Sequence, residues 1–372
     1  MVKSACYCVA YEQFETGIIP TLSNLKGADL SNSGIPGKTI VLGTGNFGTC
    51  LANHLAQKGH SVTIWGRSQE IVDSINTLHR NPKYLEHIAL DHRLNATLKL
   101  EPESLKAASF LVLAIPTQSL RSVMEPIKDL ISPSCIIVCA VKGIENDTYR
   151  FPIQIVEDVL GPASRDKIVV LSGPSFAIEV AEKQPTAVSV ACRNAETNRA
   201  TQALFHTSLF RVYTTDDPIG LEVAGALKNV IAIASGTLAG LGFQQNARAA
   251  LLTRGLAEIA RVGAALGANP ITFMGLGGVG DLFLTCTSEK SRNYTVGYRL
   301  GKGESLDEVL RTLGSVAEGV STSKAAYELC EKLKVDSPII HVVYSVLYGG
   351  DTVANGLHRL LNREMKAEIS NQ

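Results

Sequence analysis

One stretch of the chain decides its fold: KTIVLGTGNFGTCLANHLAQKGHSVTIWGRS, residues 38–68. It has the pattern of a strand, a glycine turn, a helix and a second strand. The turn, GTGNFG, carries Gly43, Gly45 and Gly48 at the spacing G-x-G-x-x-G. These glycines allow a tight turn and a close approach of the backbone to a pyrophosphate, and the N-terminus of the following helix attracts phosphate. The stretch therefore predicts a dinucleotide-binding unit.

A second glycine-rich stretch tests that reasoning within the same chain. GLGGVG, residues 275–280, has the same spacing, but it follows NPITFM and leads into DLFLTCTS. No strand–turn–helix–strand pattern surrounds it. We predict a turn there and not a nucleotide-binding loop.

The remaining sequence predicts an α/β protein with two domains. Short apolar runs recur at 110–116, 135–143, 167–175 and 186–192, with helical periodicity between them. This alternation predicts a Rossmann-type, doubly wound parallel sheet with helices on both faces. Asp217 and Pro218 predict the start of a helix that reaches about Leu238, and helical patterns follow it. We predict a dinucleotide-binding domain over 37–216 and an all-helical substrate and catalytic domain over 217–372.

The first 36 residues precede the first strand. They lack the apolar core of a secretory signal, and Glu12, Glu15 and Asp29 make them more acidic than a typical transit peptide. We predict a loosely ordered extension of a cytoplasmic protein. The alternative is a weak address for a plastid or another organelle.

Composition excludes several classes of function. Lys and Arg number 35, as do Asp and Glu, so no overall charge attracts nucleic acid or an anionic membrane. The eight cysteines form no CxxC pair and the histidines no metal-binding spacing, so we predict reduced thiols and no metal site. No apolar run reaches the roughly 18 residues of a membrane span. An anionic substrate must therefore meet cations placed locally.

Two polar residues interrupt a very apolar helical pattern. Lys228 and Asn229 are the strongly polar side chains of VAGALKNVIAIA, residues 223–234. A lysine loses its hydration in such a setting, which is uncommon unless the charge is paired or used. This placement marks Lys228 as a candidate functional residue.

Two stretches carry candidate binding groups after predicted strands. Lys142, in VKGIE, lies at the carboxyl end of a strand, where open α/β sheets bind ligands; a solvated strand end is the alternative. LSGPSFA, residues 171–177, exposes the hydroxyls of Ser172 and Ser175 and backbone N–H groups, although by itself it is only a turn.

A third stretch, GDLFLTCTSEKSRN, combines a helix with a polar corner. Asp281 and Thr285 are four residues apart and share a helix face. Ser291, Arg292 and Asn293 gather one cation and several donors, which are the groups that a phosphate needs. A capped helix followed by a polar loop explains the same residues equally well.

The second strand of the opening unit ends with an arginine. NAD enzymes usually carry an acidic ribose partner about 20 residues after the glycine loop, whereas this chain has Arg67 in that region. Such an arginine can stack on adenine or pair with a 2′-phosphate, which favours NADPH or dual use. An exposed arginine without a nucleotide contact is the alternative.

These motifs, in this order and spacing, resemble the NAD(P)-dependent glycerol-3-phosphate dehydrogenases, especially their bacterial branch. The matching stretches lie between about residues 38 and 350 and are GTGNFGT, VKG, SGPSFA, GALKNVIAIASG, NARAALLTRGLAEIARVG, TFMGLGGVGDLFLTCTS, SRN and VAEGVST. The resemblance implies the reversible reduction of dihydroxyacetone phosphate to sn-glycerol 3-phosphate, which links glycolysis to glycerolipid precursors. It also implies an NAD(P)H cofactor and a homodimer.

The resemblance also implies roles for individual residues. The predicted catalytic set is Lys228, Lys142 and Asp281. The predicted substrate-binding set is Lys142, Gly173, Ser175, Lys228, Asn229, Asp281, Thr285, Ser291, Arg292 and Asn293. The predicted cofactor-binding set is Gly43, Gly45, Asn46, Phe47, Gly48, Arg67, Lys142, Ala177, Arg292, Val316 and Glu318. The family usually has Ser or Ala where this chain has Asn46, a change that the loop tolerates.

This assignment gives Lys228 a chemical role. Hydride delivery to a ketone leaves alkoxide character on the oxygen, which a desolvated ammonium stabilises and protonates. Burial lowers a lysine pKa toward working pH, so the same group can act as a base in reverse.

Two other functions compete with this one. Another dehydrogenase of the same architecture, of the hydroxyacid or phosphogluconate type, would share the glycine loop. A non-catalytic nucleotide-sensing module would not need the combination of Lys142, Lys228, Asp281 and Arg292. Turnover of dihydroxyacetone phosphate, followed by nicotinamide absorbance, separates them.

Overall fold

The computed structural model describes residues 37–314, 316–365 and 367–368. The predicted extension over residues 1–36, with Cys6 and Cys8, lies outside the described residues. The six cysteines within them are free and buried, as expected for reduced core thiols.

A single sheet of eight strands forms the first half of the described chain. The strands are β1 (Lys38–Leu42), β2 (Ser61–Trp65), β3 (Leu94–Thr97), β4 (Ala108–Leu113), β5 (Ile136–Cys139), β6 (Ile168–Ser172), β7 (Thr186–Ala191) and β8 (Phe210–Thr215). Their order is β3-β2-β1-β4-β5-β6-β7-β8. Apolar clusters on both faces of the sheet confirm the doubly wound α/β arrangement.

Seven α-helices accompany these strands, and eight follow them. The first group is α1 (Asn46–Gln57), α2 (Gln69–Leu78), α3 (Pro102–Lys106), α4 (Leu120–Met124), α5 (Pro152–Leu160), α6 (Ala177–Ala181) and α7 (Ala195–Phe205). The second group is α8 (Pro218–Gly240), α9 (Gln245–Ala265), α10 (Asp281–Thr287), α11 (Arg292–Gly301), α12 (Leu306–Thr312), α13 (Glu318–Leu333), α14 (Pro338–Leu347) and α15 (Val353–Leu361). The described chain after position 216 therefore contains helices and no strand, as predicted.

The sheet is parallel, as predicted, except between β6 and β7. β1 to β6 are parallel neighbours, but β7 pairs antiparallel with β6 and parallel with β8. A parallel crossover needs a connection that returns the chain along the whole sheet. The five-residue helix α6 between β6 and β7 is too short for that return, so β7 runs back alongside β6.

The long helix α8 is the centre of the helical half. The Asp217 side chain accepts a hydrogen bond from the Gly220 N–H at 2.9 Å, which confirms the predicted helix start. α11 crosses α8 closely, because a Cβ at Gly236 would lie 2.0 Å from the Tyr294 carbonyl oxygen and one at Gly297 would lie 1.9 Å from that of Ile233. This contact fixes the start of α11 beside α8.

α8 also has the length and composition of a membrane span. An 18-residue window of this 23-residue helix has a mean hydropathy of 1.3, and 78% of that window is buried inside the protein. Glu222, Lys228 and Asn229 interrupt its apolar residues, so α8 contains no uninterrupted apolar run of the length expected for a span. Its burial is that of a core helix surrounded by other helices.

The second glycine-rich stretch forms an irregular turn and not a nucleotide-binding loop, as predicted. Leu276–Gly280 is one helical turn with a kink at Gly278, whose φ of −91° and ψ of −106° are not helical, and it continues into α10. A Cβ at Gly278 would lie 2.1 Å from the Phe273 carbonyl oxygen, so the backbone approaches itself too closely for any side chain there. This turn places Asp281 at the first position of α10.

Candidate active site

A cleft of about 940 Å³ opens at the carboxyl ends of β1, β2, β4 and β5 and is closed on the other side by helices of the second half. Most of the predicted site residues line it: Gly43, Gly45, Asn46, Phe47, Arg67, Lys142, Ser175, Ala177, Lys228, Asn229, Thr285, Ser291, Arg292, Asn293, Val316 and Glu318. Gly48, Gly173 and Asp281 lie behind this lining, so the structure does not bring Gly48 or Gly173 to the cleft wall.

The glycine loop has the shape that a dinucleotide requires. Gly43 has a φ of 119°, and a Cβ there would lie 2.4 Å from the Ala114 carbonyl oxygen, so only glycine fits. A Cβ at Gly45 would meet no atom within 4 Å, because that side faces the open cleft. Gly45 also precedes α1 without a side-chain cap, which leaves N–H groups of the helix N-terminus available. These features fit a bound pyrophosphate.

Two lysines share one buried carboxylate on the floor of the cleft. The Lys228 ammonium donates to Asp281 Oδ1 at 2.6 Å, and the Lys142 ammonium donates to Asp281 Oδ2 at 2.7 Å. Asp281 is 1% exposed and Lys228 is 6% exposed. The group carries one negative charge against two positive ones, so its net charge toward the cleft is positive.

The surroundings shift the pKa of two members of this group. Burial lowers the pKa of Lys228 to about 8, although the attraction of Asp281 raises it. Burial also raises the pKa of Asp281, but the two ammonium groups outweigh that effect and hold it below its usual range. Asp281 is therefore ionised at neutral pH, while Lys228 can gain and lose a proton near it.

Hydroxyl and amide groups hold the lysines and the carboxylate in place. Thr285 lies one helical turn after Asp281, as predicted, and its hydroxyl accepts from Lys228 at 2.7 Å. The Ser172 hydroxyl, at the end of β6, donates to Asp281 Oδ2 at 3.4 Å. Asn229 donates to the backbone carbonyl of Lys142 at 3.2 Å. Ser172 belonged to a candidate turn in the sequence, but nothing there indicated contact with Asp281.

The polar corner at the start of α11 faces the same cleft. The Ser291 hydroxyl accepts from the Tyr294 N–H at 3.3 Å and caps the helix, and Asn293 accepts from the Gly319 N–H at 2.9 Å. Within the described residues, Arg292 makes no hydrogen bond or ion pair and is exposed. This cation, attracted by the charge of Glu318 but not hydrogen-bonded to it, thus stands beside a helix N-terminus.

Glu318, at the first position of α13, also lines the cleft. Its Oε1 accepts from the Thr117 N–H at 3.3 Å, while Oε2 is buried without a hydrogen-bond partner in the described part of the chain. Burial raises the pKa of Glu318. A buried acceptor of this kind suits a donor group on a ligand in the cleft.

Arg67 lines the same cleft, two residues beyond β2. It is exposed and makes no hydrogen bond or ion pair with the described residues. Its contact with the adenosine side of a dinucleotide stays a prediction. No group of three or more His, Cys, Asp or Glu side chains in the described ranges is placed to hold a metal ion.

A buried glutamate on α8 escaped the sequence analysis. Glu222 accepts from the Ile153 N–H at 2.8 Å and so binds the N-terminus of α5 to α8. Burial raises its pKa to about 8. Glu222 interrupts the same apolar helix pattern as Lys228, and this pattern could have identified it as a buried charged residue.

Comparison with known proteins places this geometry in one family. The model of the NAD-dependent glycerol-3-phosphate dehydrogenase N-terminus matches residues 38–198, and that of the C-terminus matches residues 217–358. A Staphylococcus saprophyticus protein named glycerol-3-phosphate dehydrogenase [NAD(P)+] is 47% identical over 331 residues, which cover 89% of this chain and 99% of that one.

Solved structures agree with the sequence comparison. Glycerol-3-phosphate dehydrogenase from Coxiella burnetii has a TM-score of 0.83 at 34% identity and covers 88% of this chain and 99% of its own. The Saccharomyces cerevisiae enzyme has a TM-score of 0.75 at 29% identity and covers 88% of this chain and 100% of its own. The chain therefore belongs to the NAD-dependent glycerol-3-phosphate dehydrogenase family.

Proposed function

We propose that this protein catalyses the reversible, NAD(P)H-dependent reduction of dihydroxyacetone phosphate to sn-glycerol 3-phosphate. The observation that carries the proposal is the pair of lysines on one buried carboxylate, in the same cleft as the glycine loop. The family and the 47% identical enzyme named for this activity support the substrate and the cofactor class.

Lys228 acts as the proton donor to the substrate's carbonyl oxygen. When bound, the nicotinamide supplies the hydride to the carbonyl carbon. The ammonium of Lys228 stabilises the negative charge that develops on the oxygen and then protonates it. Asp281 and Thr285 orient that ammonium, and Lys142 adds a second positive charge on the same side. In the reverse direction, neutral Lys228 takes the hydroxyl proton.

The corner at the start of α11 binds the substrate's phosphate. Arg292 offers a planar fork of N–H donors that matches phosphate oxygens, and the helix N-terminus adds a favourable dipole. Asn293 and Ser291 frame this corner, and their own hydrogen bonds hold it rigid. Ser175 contacts the substrate from the turn after β6, and the cofactor is bound by Gly43, Gly45, Asn46, Phe47, Ala177, Val316 and Glu318. Gly48 and Gly173 lie behind the lining and allow the close backbone packing of the two loops.

The pKa of Lys228 predicts opposite pH profiles for the two directions. Reduction needs the ammonium form, so its kcat/KM should fall as pH rises through about 8. Oxidation of glycerol 3-phosphate needs the neutral amine, so its kcat/KM should rise through the same pH. Initial rates measured by nicotinamide absorbance above pH 7 test this. If kcat/KM rose with pH in both directions, or fell in both, Lys228 would be excluded as the titrating group.

The same absorbance assay tests the proposed function itself. Purified protein with NADPH or NADH should consume the reduced cofactor when dihydroxyacetone phosphate is added. A protein that binds the cofactor but turns over neither this substrate nor glycerol 3-phosphate would be a nucleotide-sensing module. Turnover of a 2-hydroxyacid or phosphogluconate instead would indicate the other dehydrogenase class.

We further propose that the protein prefers NADPH or uses both cofactors, and that Arg67 determines this preference. Replacement of Arg67 by Asp should shift preference toward NADH, because a carboxylate suits a free ribose hydroxyl and repels a 2′-phosphate. The measurement is the ratio of kcat/KM for NADPH to that for NADH in both proteins. An unchanged ratio would show that Arg67 has no part in nucleotide choice.

Assembly, compartment and domain division complete the proposal. We infer a homodimer, which sedimentation velocity tests, and a cytoplasmic location, with a plastid or other organelle as the alternative if residues 1–36 act as an address. The boundary at 216/217 falls between β8 and α8, which supports a dinucleotide-binding domain over 37–216 and a catalytic domain over 217–372.

A further inference from the structure

An ion pair spans the cleft beside the phosphate corner. Lys290 Nζ donates to Glu179 Oε1 at 2.7 Å, although the two residues are 111 positions apart in the sequence. Lys290 lies in the loop before α11 and lines the cleft. Glu179 lies on α6, whose first residue, Ala177, lines the cleft from the opposite wall. The pair therefore joins the two walls where the substrate's phosphate would enter.

The phosphate corner itself offers the substrate one cation. A phosphate monoester carries between one and two negative charges at neutral pH. In the proposed function Lys142 and Lys228 act at the carbonyl oxygen, where they share Asp281, so Arg292 is the single cation assigned to the phosphate. Lys290, two residues before Arg292 in the sequence, lines the same cleft.

The bond that holds Lys290 is easily exchanged. Its side chain is 54% exposed and that of Glu179 is 35% exposed. Ion pairs between exposed, flexible side chains contribute little, because solvent screens them and both side chains lose freedom. A phosphate oxygen beside Arg292 and a helix N-terminus offers Lys290 a second acceptor of higher charge.

We propose that Lys290 is a phosphate-binding residue. When substrate binds, the Lys290 ammonium breaks its ion pair with Glu179 and binds the substrate's phosphate instead. Glu179 thus competes with the substrate for the same ammonium. This inference rests on the proposed function and assigns to the phosphate site a residue outside the SRN motif.

Substitutions at the two ends of the pair should have opposite effects. Lys290→Gln should raise KM for dihydroxyacetone phosphate about fivefold, since it removes one charge-assisted contact. Glu179→Gln should lower that KM about twofold, since it frees Lys290 from an exposed pair. The double variant should match Lys290→Gln, because Glu179 acts only through Lys290. Neither single variant should change kcat/KM for unphosphorylated dihydroxyacetone.

A matched control separates this effect from net charge. Lys128→Gln removes the same charge from an exposed pair with Glu125, at 2.7 Å and outside the cleft, and should leave KM unchanged. Equal increases in KM for both Lys290→Gln and Glu179→Gln would show that the ion pair only stabilises the contact between the two sides of the cleft. Unchanged KM values in both would show an ordinary surface pair.

The measurements also distinguish this inference from the proposed function. Wild-type turnover of dihydroxyacetone phosphate with no response to Lys290→Gln overturns the role of Lys290 alone. Absence of both turnover and calorimetric binding of glycerol 3-phosphate in the wild type overturns the proposed function, and with it the phosphate site.

Discussion

Replacement of Lys228 by Met should lower kcat by at least about 10³, the combined scale of acid–base and electrostatic catalysis. Met has nearly the same length but neither donates a proton nor stabilises an alkoxide. The fold should persist, because Asp281 keeps Lys142 as a partner at 2.7 Å and no large cavity forms around the apolar side chain.

Cofactor binding by this variant can be followed without turnover. Trp65 is the single tryptophan of the sequence and lines the cleft at the end of β2, so its fluorescence reports the nucleotide. We expect a cofactor Kd close to that of the wild type. Lys106→Met, at an exposed position on α3, is the matched control and should keep full activity. A folded Lys228→Met protein that retained more than about a tenth of kcat would refute the role of Lys228.

Replacement of Asp281 by Asn should have the second largest effect, on stability and rate together. It leaves two ammonium groups close together without their buried counterion. Removal of one partner from a buried ion pair typically costs about 3–5 kcal/mol of unfolding free energy. Since the lysines also lose their orientation, kcat should fall by at least about 10².

The stability loss should depend on pH with a definite sign. Asp281 raises the pKa of Lys228, so its removal places that pKa below about 8. Between this lowered pKa and 8, the native variant releases a proton that the unfolded chain keeps. Its stability therefore rises with pH in that range, while that of the wild type does not. The difference in unfolding free energy should be largest at low pH and shrink toward pH 8.

Urea unfolding at several pH values measures this difference. Asp158→Asn is the control, because Asp158 makes only partly exposed ion pairs with Arg121 and Arg150, and it should lose little stability at any pH. A constant loss for Asp281→Asn across pH 6 to 8 would contradict the coupling between Asp281 and Lys228.

Local sequence patterns were sufficient to predict the strand–turn–helix–strand unit over residues 38–68 and the helix α8. The glycine loop needs only a strand, a turn and a helix in succession, and Asp217 followed by Pro218 marks a helix start by local chemistry. The reversal of β7 was missed because apolar alternation does not record strand direction. The four-residue β3 and the edge strand β8 were missed because their polar residues hide the strand pattern.

The contacts in the site also fall into two groups: those that local sequence patterns predict and those that only the folded structure reveals. The pairing of Thr285 with Asp281 follows from helical spacing, and Arg292 with its neighbours from the chemistry of phosphate. The sharing of Asp281 by Lys142 and Lys228 joins residues 139 and 53 positions apart, which only the packing of α8 and α10 against the sheet reveals. The contacts of Ser172, Glu222 and Lys290 depend on the same long-range packing.

The apolar character of α8 has a consequence before folding is complete. As the chain is synthesised, this 23-residue segment is long and apolar enough to enter a lipid bilayer. A lysine at the centre of such a segment opposes insertion by about 2.5–3.5 kcal/mol. Lys228 lies near the middle of α8, so we expect the residue proposed as the proton donor also to oppose membrane insertion of the nascent helix. Lys228→Met should lower that barrier and remove the proposed proton donor together.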